Sequence, residues 1–282
     1  MRFPRLLSKL YASPVMVSPV VRASLERALD LYLAGGIPSR EGSPARHAYD
    51  GAKERADRVA EIYHAHDGLG IIRISGVIDK HVAAADLQCY GGVDLDDVDH
   101  AIEQARSDGN VKHVLMIIDS PGGSATGVPE TAQRVATLAK SKPVTVFSDS
   151  QICSAAYFIA AHASEIIVTE STDVGSIGVY MALLDQTRAL DMDGITVNLI
   201  KAGKFKAAGA PFQILGNEER AIFQAQVDQI YASFTGTVKA GRPGVDPAAL
   251  EGQTFLGVNA IRVGLADALA LGLDEVMSAL QS

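Results

Sequence analysis

The sequence is poor in cysteine, in positive charge and in long hydrophobic runs. Two of its 282 residues are cysteines, Cys89 and Cys153, which are too few for a disulfide framework or a structural zinc site. Lys and Arg number 25 against 33 Asp and Glu, so the net charge is −8 and no basic surface is available for nucleic acid. We therefore expect no nucleic-acid partner and a reducing compartment.

The amino terminus has positive charges followed by an apolar stretch, as a signal peptide does. Pro14 and Pro19 interrupt that stretch, and charge returns at Arg22. No run in the chain approaches the roughly 18 to 20 apolar residues that a membrane-spanning helix needs. These features predict a cytoplasmic protein without a membrane span.

The composition is that of an ordinary globular protein. Hydrophobic residues make up 48% of the chain and charged residues 21%, and we find no internal repeat and no low-complexity tract. Helical spacing marks the first 67 residues, which predict a helical arm or cap. Two stretches carry it: Val21, Leu25, Ala28, Leu29 and Tyr32 in the first, and 54–64 in the second.

From residue 68 to 282 short β-branched runs alternate with helical patterns. The predicted strands are "GIIRISGVI", "VKHVLMIID", "PVTVFS", "EIIVT" and "ITVNLI". Helices of this length between strands imply βαβ crossovers. We therefore predict an α/β domain with a mainly parallel β-sheet and flanking helices, preceded by the helical arm.

Reactive groups in such folds gather where strands end and helices begin. At the first such junction, "IIDSPGGSATG", the adjacent Gly122 and Gly123 let backbone N–H groups approach a ligand, and two such donors can hold an oxyanion. A plain turn is the alternative interpretation. A phosphate loop is excluded, because Val128 stands where its lysine would be.

The second junction is "SQICSAAYFIAAHAS", in which Ser154 precedes an uncharged helical pattern. Ser154 at a helix N-terminus is suited to a nucleophile, since free N–H groups stabilise developing negative charge there. It is equally suited to capping the helix. Cys153 is the less suitable nucleophile, because it would need a cation to stabilise its thiolate.

A nucleophilic serine requires a base. None of the seven histidines accompanies an obvious orienting aspartate, although a histidine triad stays open. Lysine serves as a base only where its pKa falls from about 10.4 toward neutrality. Lys201, Lys204 and Lys206 follow an apolar run, and the small and apolar neighbours of Lys206 suit a buried amine. A solvated lysine cluster is the alternative.

Four motifs in one order carry a family resemblance: "IDSPGG", "SAAYFIA", "VGSIGV" and "GKFKAAGAPF". Together with the closing "GQTFLGVNAIRVGLAD", they resemble the signal peptide peptidase A (SppA) family of serine proteases, which includes phage head-maturation proteases. The likeness runs from about Gly70 to Asp267. It implies a fold related to Clp protease and crotonase.

The resemblance also implies roles for individual residues. Ser154 matches the nucleophile, Lys206 the general base 206 − 154 = 52 residues later, and Ser176 the serine that orients the lysine. It implies that no metal or cofactor takes part. The oxyanion hole is implied to use the backbone N–H groups of Gly122, Gly123 and Ala155.

The sequence favours the phage branch of this family. Ala155 and Ala156 follow the nucleophile, where cellular members usually have two glycines. The resemblance therefore implies a homo-oligomeric endopeptidase acting on capsid or scaffold proteins, with portal proteins as further partners, in the host cytoplasm or the prohead. The Ala- and Gln-rich scaffold extension of some phage members does not follow the peptidase part here, which leaves the capsid role less well supported than the chemistry.

Two alternatives stay open. One is a soluble cellular peptidase of the same family that degrades signal-peptide remnants or other unfolded segments. The other is a protein of a different class, either a non-catalytic phage structural protein or an acyl-CoA enzyme of the crotonase fold. The crotonase alternative lacks a carboxylate pair near the glycine loop.

Overall fold

A computed structural model describes residues 15–17, 51–82, 87 and 91–281. The strands are β1 (Val15–Val17), β2 (Tyr63–His66), β3 (Leu69–Ser75), β4 (Ile78–Asp79), β5 (Val93–Asp94), β6 (His113–Asp119), β7 (Gly122–Ser124), β8 (Val144–Ser148), β9 (Gln151–Cys153), β10 (Glu165–Val168), β11 (Asp173–Gly175), β12 (Thr254–Leu256) and β13 (Ala268–Leu269). The α-helices are α1 (Gly51–Ile62), α2 (Leu95–Ser107), α3 (Val128–Ala139), α4 (Ala155–Ala160), α5 (Thr187–Met192), α6 (Asn217–Gly241), α7 (Gly257–Arg262) and α8 (Leu273–Leu280), and a 3₁₀ turn spans Pro247–Leu250.

Six strands form the central sheet, in the order β13-β10-β8-β6-β3-β2. All neighbours in it pair in parallel except β2 with β3, which are antiparallel. The parallel strands β6 and β8 are joined through α3, and β3 and β6 through α2, as βαβ crossovers require. The predicted α/β class with a mainly parallel sheet is confirmed.

Both faces of the central sheet are covered. On one face α2 and α3 bury apolar residues, including Val98, Ile102 and Val135, against the strands. On the other face Leu115 and Phe147 pack with Val276 of α8. Because neither face meets water, β6 and β8 are nearly continuous apolar runs, as the sequence shows.

Two smaller sheets stand at the ends of these strands. One has the order β1-β7-β4-β5 and the other β12-β11-β9. An isolated parallel bridge between Ser120 and Ile152 connects the chain leaving β6 to β9. The two junctions that the sequence singles out therefore lie side by side.

One predicted strand is wrong. Residues 195–200, "ITVNLI", form no strand and are exposed, with Ile200 at 97% exposure. A β-branched run becomes a strand only where an edge is available to pair with it. This run lies instead in a segment that the single chain leaves uncovered.

The predicted arm is seen only in part. Helix α1 corresponds to the second predicted stretch, and it packs on the domain through buried Val59 and through Arg58, whose Nε and Nη2 donate to Asp97 at 2.5 and 2.9 Å. The predicted helix around 21–32, like Cys89, lies outside the described residues. The division of the chain at residues 67 and 68 stays a prediction.

No helix in the part of the chain that the structure describes combines the length and the apolar character that a bilayer span requires.

Candidate active site

Two serines follow paired strand ends. In the parallel pair of β9 and β11, Cys153 lies opposite Gly175, so Ser154 and Ser176 each come one residue after a matched position. The Ser154 N–H donates to the Gly175 carbonyl at 2.8 Å, which continues the pairing past the strand end. The structure therefore brings the predicted nucleophile and the predicted orienting serine together.

Ser154 has a strained backbone. Its φ of 56° and ψ of −117° lie outside the regions that side-chain-bearing residues favour. Strain of this kind costs about 1–3 kcal/mol and persists only where the surroundings enforce it, as at the sharp strand-to-helix turns that present nucleophiles. The serine is 1% exposed and makes no side-chain capping bond to α4. The capping interpretation of Ser154 is therefore wrong.

Ser176 also has a positive φ. Its φ is 53°, it is 7% exposed, and its N–H donates to the Gln253 carbonyl at 2.7 Å. Gly175 before it also has a positive φ, and an added Cβ there would crowd the Gln253 carbonyl oxygen. The backbone on both sides is thus fixed, so the Ser176 side chain starts from a rigid position.

The glycine loop runs beside β9. The Ser120 N–H donates to the Gln151 carbonyl, and the Cys153 N–H donates to the Ser120 carbonyl, each at 3.0 Å. The Gly122 N–H donates to the Ser120 hydroxyl at 3.2 Å. That N–H therefore already has an acceptor within the loop.

Gly123 cannot be replaced without movement of the backbone. It lies opposite Ile78 of β4, and a Cβ at this position would collide with the Ile78 carbonyl oxygen. Close packing of β7 on β4 therefore requires the glycine at position 123. The plain-turn alternative is wrong, because Gly122 and Gly123 belong to a strand.

Helix α4 holds Ser154 from behind. All six of its residues are buried. The Tyr157 hydroxyl donates to the Leu265 carbonyl at 2.9 Å, and the Phe158 ring stacks on Phe234 with the ring centroids 4.7 Å apart. Burial raises the pKa of Tyr157, so the hydroxyl keeps its proton and this bond. The nucleophile position is thereby anchored to α6 and to the carboxyl-terminal part of the domain.

Cys153 is not activated. Burial, together with the charge of Asp173, raises the pKa of its thiol to about 12. Its Sγ lies 3.6 Å from the Asp173 carbonyl oxygen. Because the thiolate is the reactive form, the structure favours Ser154 over its neighbour.

The lysine cluster lies in an exposed turn. Lys206 is exposed, Lys204 Nζ pairs with Glu218 at 2.5 Å, and Lys201 Nζ donates to the Lys204 carbonyl at 3.1 Å. The burial expected for the Lys206 amine is not present in the single chain. Over the residues that the structure describes, no hydrogen bond joins Lys206 to Ser154.

Sequence reasoning missed one histidine with a carboxylate partner. His81 Nδ1 lies 2.6 Å from Asp96 Oδ2, and Lys80 Nζ lies 3.1 Å from the other oxygen of that carboxyl. These contacts hold the pKa of Asp96 below its usual range despite partial burial. The fifteen-residue separation of the pair gave no recognisable pattern. Neither partner is hydrogen-bonded to Ser154 within the described part of the chain.

The family model for Peptidase family S49 matches residues 136–282. The matched part contains Ser154, Ser176 and Lys206 and begins after Gly122 and Gly123. The chain belongs to this peptidase family. Its membership confirms the resemblance drawn from the four motifs.

Several curated proteins of the family are similar to this chain. The head-tail preconnector protein GP5 of Enterobacteria phage P21 is 30% identical over 78% of this chain and 44% of its own length. The capsid assembly protease C of Escherichia phage lambda is 31% identical over 78% of this chain and 50% of its own. Protease 4 of Haemophilus influenzae is 28% identical over 73% and 33%. The chain spans about half the length of the two phage relatives.

Solved structures give a more distant likeness. A variant of the membrane-bound, stomatin-specific protease 1510-N is 16% identical, with a TM-score of 0.47 over 76% of this chain and 85% of that chain. An enoyl-CoA hydratase/carnithine racemase homologue from Magnetospirillum magneticum is 14% identical, with a TM-score of 0.43 over 78% and 73%.

Proposed function

We propose that the chain is a serine endopeptidase that uses a Ser/Lys dyad and processes capsid or scaffold proteins during phage head maturation. The observation that carries the proposal is the strained Ser154. It lies beside Ser176 and the loop that leads to the glycines of β7, and its side chain makes no capping hydrogen bond to α4. Family membership and the phage relatives support the reaction class and the setting.

The proposed reaction uses Ser154, Lys206, Ser176 and two backbone N–H groups. The neutral amine of Lys206 takes the Ser154 proton, and the serine oxygen attacks the peptide carbonyl. Backbone N–H groups of Gly123 and Ala155 hold the oxyanion that forms. The ammonium then protonates the departing amine, which leaves an acyl-enzyme. The lysine amine next takes a proton from water, whose oxygen attacks the acyl carbonyl, and the ammonium returns the proton to the departing Ser154 oxygen. Ser176 positions the amine through its hydroxyl.

We also propose that a second copy of the chain completes the site. Large apolar side chains are exposed in the segment 184–214, which also carries Lys206. These side chains are Leu184, Met192, Ile195, Val197, Leu199, Ile200, Phe205 and Ile214. Large exposed apolar surfaces in monomers often mark interaction sites. Burial against another copy stabilises this segment and removes the lysine amine from water, as a base requires.

A second candidate function keeps the chemistry and changes the substrate. The similarity to Protease 4 of Haemophilus influenzae favours a cellular peptidase, whose proposed substrates are signal-peptide remnants or other unfolded segments. The two candidates differ in what is cut. The head-maturation role predicts a few defined cuts in capsid, scaffold or portal proteins of the same genome, whereas the cellular role predicts many cuts in any unfolded chain.

The test is cleavage of both substrate types by the purified full chain. Scaffold, capsid and portal proteins and reduced, alkylated casein are incubated in parallel, and the products are identified by mass spectrometry. Lys206→Ala should abolish every cut, while Lys201→Ala, in the same exposed turn, should retain them. Cleavage by the Lys206→Ala variant at the normal rate would refute the dyad.

A further inference from the structure

A short strand from the beginning of the described chain lies on the glycine strand. β1 pairs antiparallel with β7, with Val15 opposite Ser124, Met16 opposite Gly123 and Val17 opposite Gly122. β1 is the outermost strand of its sheet, in the order β1-β7-β4-β5. The main chain of 15–17 therefore lies along Gly122 and Gly123, the two glycines of the first junction.

The side of β7 that β1 covers is the side a substrate needs. A strand offers N–H groups at two edges, and β4 takes one of them, with Ile78 opposite Gly123. Any N–H of β7 that serves a ligand must therefore lie at the opposite edge, which is the edge that β1 occupies. Extended peptides bind such edges by adding a strand through main-chain hydrogen bonds.

We propose that β1 is an internal competitor that closes the peptide-binding edge of β7 until a substrate displaces it. This inference rests on the proposed function, because it takes β7 as the oxyanion strand. Residues 15–17 then act as an autoinhibitory segment. In the active state an extended segment of a protein substrate takes their place at the edge of β7. The glycine strand is thereby protected from unrelated chains while no substrate is present.

The strand is suited to displacement. It has three residues, and the sequence places proline at 14 and 19, where no N–H is available to lengthen the ladder. So short a pairing is weak by itself. Attachment to the same chain compensates, since a tethered segment reaches an effective concentration on the order of millimolar. A substrate that forms a longer ladder can overcome it.

A reversible cross-link tests the proposal in the full chain. Cα atoms opposite each other in an antiparallel pair are about 4.5–5.5 Å apart, which is within disulfide range. The variant Val15→Cys/Ser124→Cys should therefore form a disulfide on oxidation, confirmed by peptide mapping. Hydrolysis of a fluorogenic peptide should then fall about tenfold or more and recover with dithiothreitol. The single variants, which retain both native cysteines, should show no redox dependence.

A binding measurement separates this inference from the proposed function. In a Ser154→Ala background, a fluorescein-labelled synthetic peptide of residues 11–21 should bind the reduced double variant and not the oxidised one, measured by anisotropy. If the peptide binds only the reduced double variant, but no form of the protein that keeps Ser154 hydrolyses the fluorogenic peptide, the peptidase proposal is refuted and the inference stands. Failure of the disulfide to form, or equal binding and equal hydrolysis in both redox states, would overturn the inference.

Discussion

The backbone at Ser154 holds conformational strain that its helix does not need. A glycine would adopt a φ of 56° without cost, and the serine there spends no side-chain bond on the helix. Its neighbour Cys153 is buried, with a thiol pKa raised to about 12. The strain at Ser154 and the raised thiol pKa of Cys153 both indicate that the reactive atom is the Ser154 oxygen.

Replacement of each of these two neighbouring residues by alanine gives a matched pair of variants. Ser154→Ala should lower kcat/KM for peptide hydrolysis by about four to six orders of magnitude, as loss of a nucleophile does. Cys153→Ala should lower it less than about tenfold, since a protonated thiol takes no part in the reaction. Circular dichroism should show both variants folded. Loss of activity in Cys153→Ala with retention in Ser154→Ala would assign the nucleophile to the cysteine.

In the proposed mechanism Ser176 acts through the lysine. Loss of its hydroxyl should therefore reduce the rate of hydrolysis without abolishing it. We expect Ser176→Ala to reduce kcat by about 10- to 1000-fold with little change in KM. Because a misplaced amine is a poorer base, the rise of rate with pH should also shift. Ser176→Thr, which keeps the hydroxyl, should recover part of the rate. An unchanged pH profile in the alanine variant would mean that the serine has only a structural role.

At the scale of elements, the nucleophile depends on how α4 is packed. The stacking of Phe158 on Phe234 joins α4 to α6, which is otherwise buried only at Val238. Arg242, at the end of α6, donates to the Ala163 carbonyl at 2.9 Å and to Asp267 Oδ2 at 2.6 Å. The closing "GLAD" motif thus has a structural use, because Asp267 links α6 to the central sheet.

Removal of the stacked ring should destabilise the domain. Phe234→Ala leaves a cavity at a fully buried position, and we expect it to lower the free energy of unfolding by about 3–5 kcal/mol. Gln229→Ala, on an exposed position of the same helix, should change it by less than about 0.5 kcal/mol. Urea denaturation of both variants measures the difference. Equal stabilities would show that α6 does not anchor α4.

The elements that sequence predicted well are those with strong periodicity. The apolar runs of β6 and β8 were predicted as strands, and α2 and α3 lie in the helical patterns between predicted strands. The failures have physical causes. The run 195–200 has strand composition without a strand to pair with, and β1 was not predicted because a strand of three residues carries no periodic pattern.

The candidate site was predictable to a similar degree. The serines and glycines lie at strand ends, where topology brings them together, and their roles stay predictions. The position of Lys206 relative to Ser154 was not predictable, because Lys206 lies in an exposed segment that no strand pairing fixes. The strained φ of Ser154 was also not visible in the sequence, since a serine before a helix is usually a cap.

At the scale of the whole molecule, the segment 184–214 exposes large apolar side chains to solvent. Ile200 is 97% exposed, and we propose that a second copy buries it. Ile200→Asp should therefore reduce the molecular mass measured by light scattering, because burial of a carboxylate is unfavourable. Peptidase activity should fall about tenfold or more with it.

A neighbouring substitution controls for charge alone. Asn198→Asp introduces the same carboxylate at another exposed position of the segment and should leave assembly nearer to that of the unaltered protein. A monomeric Ile200→Asp variant with full activity would contradict the proposed link between assembly and the site. An unaltered protein that is already monomeric and active would contradict it as well.

The most direct test of the account is the site of covalent labelling. The purified chain is treated with a fluorophosphonate probe and digested, and the modified residue is identified by tandem mass spectrometry. We predict a single adduct on Ser154, formed faster as the pH rises and absent from the Lys206→Ala variant, because the serine needs the neutral amine to lose its proton. An adduct on another residue, or labelling of Ser154 at an equal rate without Lys206, would contradict the account.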